Sequence, residues 1–330
     1  MIPQFKTLKF DELCELLCEK KTTLIMYHIR SDADAVGSAF ALKELLAMMD
    51  IQSYCACSDE IPERLRFLAN GQQGSVLVEE GMRIGCERII TVDSASPSQL
   101  GDLFNRVHKN IDIMIDHHAN GTPYADNFID PTAAATGEII YRIAKHLVKK
   151  KIIADIPDTV LNCVYAALSS DTGGFRFSNA TPDTYRLAAE LVERGVDCAE
   201  INRLLFDSKS FEQLKAEGVA IKNLCIHDGG RIASTLFSYS EKRELEVGDD
   251  DLGTLIDIPR SVFGVEIAFV VKQESDDGKY RVSMRSATDF DVSRVCAVFG
   301  GGGHKRAAGC TVLAESIEDA EQKILDILLG

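Results

Sequence analysis

The sequence predicts an α/β protein. Its larger N-terminal domain has a mainly parallel sheet flanked by helices, a helical connector follows, and a smaller α/β domain closes the chain. Three observations predict this. Short apolar runs alternate with helix-period segments through the first half, the pattern of parallel strands covered on both faces. Beyond about residue 225 the pattern shifts to longer strands, two of them separated by the turn Asp276-Asp277-Gly278, a hairpin signal. A length of 330 residues fits two domains of about 100–200 residues each. The expected boundaries are 1–195, 196–224 for the connector, and 225–330.

In order, a helix near Phe10–Glu19 precedes a strand at Thr23–His28. The helix Asp34–Met48 has apolar residues at helical spacing. Strands follow at Ile51–Cys57 and Arg88–Asp93, then a helix near Pro97–Val107 and the strand Ile111–Asp116. Helices are expected at about Ala133–Lys149 and Pro157–Ser169, and from Thr181-Pro182, where Thr suits the cap and Pro the first helical position. The stretch Val196–Leu224 reads as helical and charged. Arg231–Ser238, Val262–Gln273 and Tyr280–Ser286 read as strands, Val292–Val298 and Ile317–Leu329 as helices, with Gly300–Gly303 between them.

The net charge of −15 argues against extended contact with duplex nucleic acid, which needs a basic surface. It leaves room for a short anionic substrate, because bound cations reverse the local field. No window reaches the ~18 apolar residues of a membrane span, and the N-terminus has no signal-peptide pattern. The 10 Cys include no CxxC pair, and they read as buried free thiols in a reducing, cytoplasmic setting.

Four apolar runs end in His or Asp. Leu24–Tyr27 runs into His28, Asp32 and Asp34; Arg88–Val92 into Asp93; Ile111–Ile115 into Asp116-His117-His118; and Val164–Leu168 into Asp171. In open α/β sheets, ligands bind outside the carboxyl ends of the strands. Each residue alone has a plainer reading, as a helix cap, a turn residue or a structural His. Gathered in one pocket, four carboxylates repel and shift toward protonation unless cations compensate. Two divalent ions balance them, and mixed imidazole and carboxylate donors suit Mn²⁺, with Mg²⁺, Co²⁺ or Fe²⁺ as substitutes. Two such ions about 3.5–4 Å apart suit phosphate-ester hydrolysis, lowering the pKa of a bridging water to ~7.

In the C-terminal domain, glycines 301–303 lack Cβ atoms, so their N–H groups can approach an anion closely. They run directly into His304-Lys305-Arg306. Arg285 is the candidate phosphate clamp, because its planar fork matches two oxygens. His108, His146 and His227 lie outside every motif and read as surface or packing residues.

His28-Ile29-Arg30-Ser31-Asp32-Ala33-Asp34-Ala35-Val36-Gly37-Ser38, Asp93, Asp116-His117-His118 and Asp171 resemble the four motifs of the DHH phosphoesterase superfamily. Gly301-Gly302-Gly303-His304 resembles the signature of the associated DHHA1 domain. Ser31 stands where the family often has Pro, and Ala33 where it often has Gly; neither position donates to metal. Asp116–Asn120, Phe175–Asn179 and Val282–Ser286 are similar to the subgroup of bifunctional oligoribonucleases (nanoRNases) and 3′-phosphoadenosine-5′-phosphate (pAp) phosphatases.

The resemblance implies a two-metal site between the domains. His28, Asp32 and Asp93 would hold one ion; Asp34, Asp93, His117 and Asp171 the other, with Asp93 bridging. Asp116 would orient a His or nearby backbone, and His118 would face the phosphate. Arg285, Ser286, Gly301, Gly302, Gly303 and His304 would contact substrate. The implied activity is Mn²⁺-dependent hydrolysis of short oligoribonucleotides to 5′-mononucleotides, and of pAp to AMP, by a hydroxide bridging the metals. Short single-stranded RNA or small nucleotides would be the partners, and a homodimer is admissible. A cyclic- or linear-dinucleotide phosphodiesterase is the alternative enzyme, and a catalytically silent nucleotide sensor the alternative of another class. A manganese pyrophosphatase would lack the glycine-rich tail, and a long-DNA exonuclease usually needs further domains.

Overall fold

A computed structural model describes residues 5–69, 85–107 and 111–330. The chain divides into two units, Met1–Ser208 and Lys209–Gly330. In the first, α1 (Phe10–Leu17) precedes β1 (Thr23–Met26), α2 (Ala33–Met48) and β2 (Ser53–Ala56). Then come β3 (Arg88–Val92), α3 (Asp102–Val107), β4 (Ile113–Asp116) and β5 (Asp126–Ile129). Four helices follow: α4 (Thr136–Lys149), α5 (Asp158–Asp171), α6 (Pro182–Glu193) and the short α7 (Cys198–Asn202), which runs into a wide π-type turn at Arg203–Asp207.

The five strands form one sheet in the order β2-β1-β3-β4-β5, every neighbouring pair parallel. β1, β3 and β4 are buried along their whole length, as their unbroken apolar runs require. β5 was not expected. Asp126-Asn127-Phe128-Ile129 contains two residues depleted in strands, and its pairing with β4, plus a bridge from Thr7 to Asn127, holds it there. The apolar run Val164–Leu168 lies in α5, the helix expected at Pro157–Ser169, so the fourth acidic ending is the end of a helix.

α2 is buried on nearly every side from Ala33 to Leu42. It can be, because Gly37 lets the α5 backbone approach: a Cβ there would sit 2.6 Å from the Cys163 carbonyl oxygen. α6 starts where expected, with Thr181 as cap and Pro182 first. Arg88 is almost fully buried beneath the sheet, and its guanidinium donates to the carbonyls of Leu16 and Leu17 at the end of α1, and to Thr23 Oγ1.

In the second unit, α8 (Phe211–Lys222) leads to β6 (Cys225–His227), β7 (Ile232–Phe237), α9 (Tyr239–Leu245) and α10 (Asp257–Arg260). β8 (Ile267–Lys272), β9 (Lys279–Ser286), α11 (Val292–Val298), β10 (Gly302–His304), β11 (Ala307–Leu313) and α12 (Ile317–Leu329) complete it. The six strands run in the order β10-β11-β9-β8-β7-β6, antiparallel except for β7 with β8. The β8–β9 hairpin follows its Asp-Asp-Gly turn. β10 and β11 escaped the sequence reading; β10 is Gly-Gly-His, and β11 opens on Ala-Ala-Gly. The expected strand Val262–Gln273 is shorter at its start, where α10 and a turn precede Ile267. Of the three histidines outside the motifs, His146 packs edge-on to Phe10 and His227 bonds Ser234 Oγ at 2.7 Å, while His108 lies outside the described residues.

Candidate metal centre

The strand order reverses direction between β1 and β3, which opens a crevice at their carboxyl ends. His28 leaves β1 and Asp93 leaves β3 at that point, and His28 Nε2 lies 3.5 Å from Asp93 Oδ2. Asp93 sits at φ +53°, a left-handed conformation that costs a non-glycine residue roughly 1–2 kcal/mol. Such strain persists where surrounding structure enforces it. Here the Asp93 amide donates to the Ile115 carbonyl at 3.0 Å, across the β3–β4 seam.

Asp32 caps α2: its Oδ1 accepts from the amides of Asp34 and Ala35, both at 3.0 Å. The plain reading of Asp32 as a cap is therefore correct, and it does not compete with ligation, since the same carboxylate lies 3.8 Å from His28 Nε2. Asp34, on the first turn of α2, is fully buried. Its Oδ1 accepts from Ser38 Oγ (2.8 Å) and the Gly137 amide (2.9 Å), and its Oδ2 from the Thr136 amide (2.7 Å). Thr136 and Gly137 open α4, so the N-terminus of one helix is aimed at a carboxylate on another. Thr136 Oγ1 also donates to Asp93 Oδ1 at 3.0 Å. Ser38, Thr136 and Gly137 were missed by sequence reasoning. Gly137 has a steric reason, because a Cβ there would lie 2.5 Å from the Ala167 Cβ of α5.

The triplet after β4 divides its tasks. Asp116 Oδ1 accepts from the amides of His117 (2.8 Å) and His118 (3.2 Å) and from His118 Nδ1 (2.7 Å). It therefore closes the strand end and fixes the His118 ring together. His117 Nδ1 meets the Ala133 carbonyl at 3.2 Å, and His28 Nδ1 meets the Ile29 carbonyl at 2.9 Å. A carbonyl only accepts, so both rings carry their proton on Nδ1. That leaves Nε2 as the coordinating atom, turned toward carboxylates. His117 Nε2 is buried without a hydrogen-bond partner among the described residues, 3.0 Å from Asp171 Oδ2 and 3.8 Å from both Asp34 Oδ2 and Asp93 Oδ1.

Asp171 closes α5, where the helix dipole disfavours an anion. Burial pushes its pKa up to about 6; His117 opposes the rise, and the charges of Asp32 and Asp93 add to it. Burial and the neighbouring Asp93 and Asp171 charges hold Asp34 well above the usual carboxylate range. Burial alone would lower the imidazoles. Asp171, Asp34 and Asp93 nevertheless carry His117 up to about 11, and Asp32 and Asp93 raise His28 well above its ordinary value. A metal-free centre thus compensates its acids with protons, as a site built for cations must.

Three groups bring ligand atoms within 4.8 Å of one another: His28, Asp32 and Asp93; Asp34, His117 and Asp171; and Asp93, His117 and His118. Asp93 belongs to two of them, with Oδ2 toward His28 and Oδ1 toward His117 and His118. Neutral imidazole Nε2 atoms and carboxylate oxygens fit divalent cations. All six expected ligand residues are brought together.

In the second unit, β9 alternates, so Arg285 and Ser286 face opposite sides of the sheet. Arg285 is half-buried between Ala307 and Ala268 on the neighbouring strands, and its Nη1 donates to the Met284 carbonyl at 2.9 Å. Ser286 Oγ donates to the Thr288 carbonyl at 3.1 Å. Gly301 and Gly303 have a steric reason to be glycine as well: a Cβ would lie 2.3 Å from the Gly309 carbonyl oxygen and 2.6 Å from that of Ala307, respectively. Gly302 alone has open space around its Cβ position.

The model of the DHH family, N-terminal domain, matches residues 22–168, and that of the DHHA1 domain matches 232–329. Over 304 residues the chain is 30% identical to the bifunctional oligoribonuclease and PAP phosphatase NrnA of Thermus thermophilus, covering 92% of this chain and 87% of that one. The chain belongs to the DHH family, with a DHHA1 domain. It is accordingly a hydrolase of phosphoester bonds. This DHH protein is also 24% identical over 331 residues to the cyclic-di-AMP phosphodiesterase GdpP of Geobacillus thermodenitrificans, covering 96% of this chain and 48% of that one. A solved exopolyphosphatase-related protein from Bacteroides fragilis shares its fold, with a TM-score of 0.85, 21% identity, and 96% and 95% of the two chains covered. Among the described residues no helix of this DHH protein is long and apolar enough to cross a membrane.

Proposed function

We propose that the chain hydrolyses short single-stranded oligoribonucleotides to 5′-mononucleotides, and pAp to AMP, with two divalent cations, Mn²⁺ foremost. The observation that carries this reading is the sharing of Asp93 between two ligand groups, one oxygen toward each. His28, Asp32 and Asp93 would hold one ion, and Asp34, Asp93, His117 and Asp171 the other. When bound, such a pair supplies an activated water and neutralises charge on the phosphoryl oxygens. The end-to-end likeness to the Thermus oligoribonuclease and PAP phosphatase supports the substrate class.

The chain's own side chains do the positioning. His28 and His117 keep Nε2 toward the ions because the Ile29 and Ala133 carbonyls hold their Nδ1 protons. Asp116 anchors His118 through Nδ1. Burial opposes a charge on His118, yet Asp116 and Asp93 raise its pKa, so it can present a positive donor to a phosphate oxygen. Arg285, Ser286, the backbone of Gly301–Gly303 and His304 are assigned to the substrate on the second unit. A dinucleotide phosphodiesterase is the second reading, favoured by the likeness to GdpP.

The test is to compare kcat/KM of the Mn²⁺-loaded protein on di- to pentaribonucleotides, pAp, linear dinucleotides and cyclic dinucleotides. The first reading expects turnover of both short RNA and pAp. Turnover of cyclic dinucleotides alone would replace it with the second.

A further inference from the structure

Arg176 differs from most exposed arginines of this acidic chain. Arg66, Arg186, Arg194 and Arg203 are each tied to a carboxylate. Arg176 has no acidic partner among the described residues, yet it is firmly held. Its Nε donates to the Gly173 carbonyl at 2.5 Å, and its guanidinium carbon lies 5.8 Å from the centroid of Phe206, on the π-type turn after α7. Among the described residues its two terminal nitrogens donate to nothing. A guanidinium stacked on one face and satisfied at Nε still presents the edge that matches two phosphate oxygens.

The turn that carries it starts at Asp171. Gly173, Gly174 and Phe175 take φ values of +58°, +67° and +64° in succession. The Arg176 and Phe177 amides both donate to the Thr172 carbonyl at 2.9 Å, and the Phe175 amide to Thr172 Oγ1 at 3.0 Å. Asn179 Nδ2 then ties the turn to the Asp171 carbonyl (3.1 Å) and the Ala134 carbonyl (3.2 Å), so it is braced against both the Asp171 and the Thr136 sides of the centre. A left-handed Phe at such a turn is the kind of strain that clusters at functional sites.

We propose that Arg176 receives a second phosphate of the substrate, one position away from the ester that is cut, and so favours nucleotides carrying two phosphates over those carrying one. This rests on the reading of nucleotides as substrates. Both an oligoribonucleotide and pAp have a second phosphate, so one cation fixed beside the centre would serve both.

The experiment measures competition by adenosine 3′,5′-bisphosphate and by AMP against Mn²⁺-dependent hydrolysis of bis(p-nitrophenyl) phosphate, a diester with a single phosphate. Arg176→Gln is expected to raise the inhibition constant of the bisphosphate roughly 10- to 100-fold, the range of a lost charge-assisted pair of bonds. Inhibition by AMP and kcat on the diester should stay within about twofold of wild type on the same reasoning. Arg176→Lys should recover part of the loss, Phe206→Leu should show a smaller loss of the same kind, and Arg186→Gln should show none. An unchanged bisphosphate constant overturns the assignment, as does an equal fall in diester kcat, which would mean that the residue acts through Asp171. If the bisphosphate competes through Arg176 but no nucleotide is cleaved, the substrate reading fails while the Arg176 assignment stands.

Discussion

Replacing Asp93 by Ala should separate catalysis from folding, because Asp93 takes part in two ligand groups. The structure sets both magnitudes. Asp93 accepts a hydrogen bond from Thr136 Oγ1, whose loss costs about 1 kcal/mol, and pairs with His28. Ala at φ +53° adds little more, because Asp93 already bears the cost of that conformation. Removing the charge relieves Asp34 and Asp171, which Asp93 pushes toward protonation, and takes a counter-charge from His28, His117 and His118, so the two effects oppose each other. The chelated variant should therefore stay within about 2 kcal/mol of wild type. Activity has no such compensation, since both ligand groups around Asp93 lose a member. Perturbing the support of one metal ligand already costs about 10- to 100-fold. Losing a shared ligand from two groups should cost about 10³-fold or more, near 4 kcal/mol of barrier. The assay is kcat on a pentaribonucleotide across a Mn²⁺ series, with metal content by elemental analysis and unfolding by calorimetry. A kcat within tenfold of wild type at saturating Mn²⁺ would refute the shared-ligand geometry.

The pH dependence of stability should be lost when metal binds. In the chelated protein, His28 and His117 are raised above their unfolded values, and burial raises Asp171 to about 6. The folded state then binds more protons than the unfolded one between about pH 5 and 8, so Tm should fall as pH rises through that window. With Mn²⁺ bound the fall should vanish, and calorimetry in buffers of different ionisation enthalpy should detect proton release; no release at pH 7 would contradict the protonated centre. Gly137→Ala should destabilise by about 1–3 kcal/mol in urea melts and weaken Mn²⁺ binding, because its Cβ meets Ala167 and pushes the α4 N-terminus off Asp34. Gly301→Ala and Gly302→Ala form a contrast: the first should unfold the β10–β11 edge, visible as lost hydrogen-exchange protection, while the second should leave stability intact. If the β10 backbone touches substrate, Gly302→Ala will raise KM with an unchanged melting curve.

The parts of the centre legible in the sequence are those in which chemistry and local pattern coincide. An apolar run that ends in His28, Asp93 or Asp116-His117-His118 announces both a strand and what it delivers. The alternation of runs and helices was likewise enough for the parallel sheet. Asp171 was legible as an acid after an apolar run, just beyond the helix expected at Pro157–Ser169, and the fold extends that helix to Asp171 itself. Ser38, Thr136 and Gly137 were not legible. A Ser inside a helix and a Thr-Gly at a helix start are common, and their meaning arises only when α2, α4 and α5 are packed closely enough to bring them to Asp34. β5, β10 and the start of β11 were invisible for a related reason, since Asp, Asn, Gly and Ala make poor strands unless a neighbouring strand holds them. The glycine-rich tail was legible as a motif, but the close approach of β11 that bars a Cβ at Gly301 and Gly303 was not.

The centre is also electrostatically uneven, and the unevenness follows from which helix end carries each acid. Asp32 and Asp34 sit at the N-terminal end of α2, and Asp34 also receives the N-terminal amides of α4, so backbone dipoles favour their charge. Asp171 sits at the C-terminal end of α5, where the last carbonyls oppose it. His117 is thus the group left to balance it, with Nε2 only 3.0 Å away. A cation entering between them replaces a proton on each and removes the cost at both. Like Asp34, which burial also pushes toward protonation, Asp171 therefore depends on the metal for its ionisation. The turn that begins at that ligand is also the one that carries Arg176, so the same few residues join metal loading to the grip on substrate.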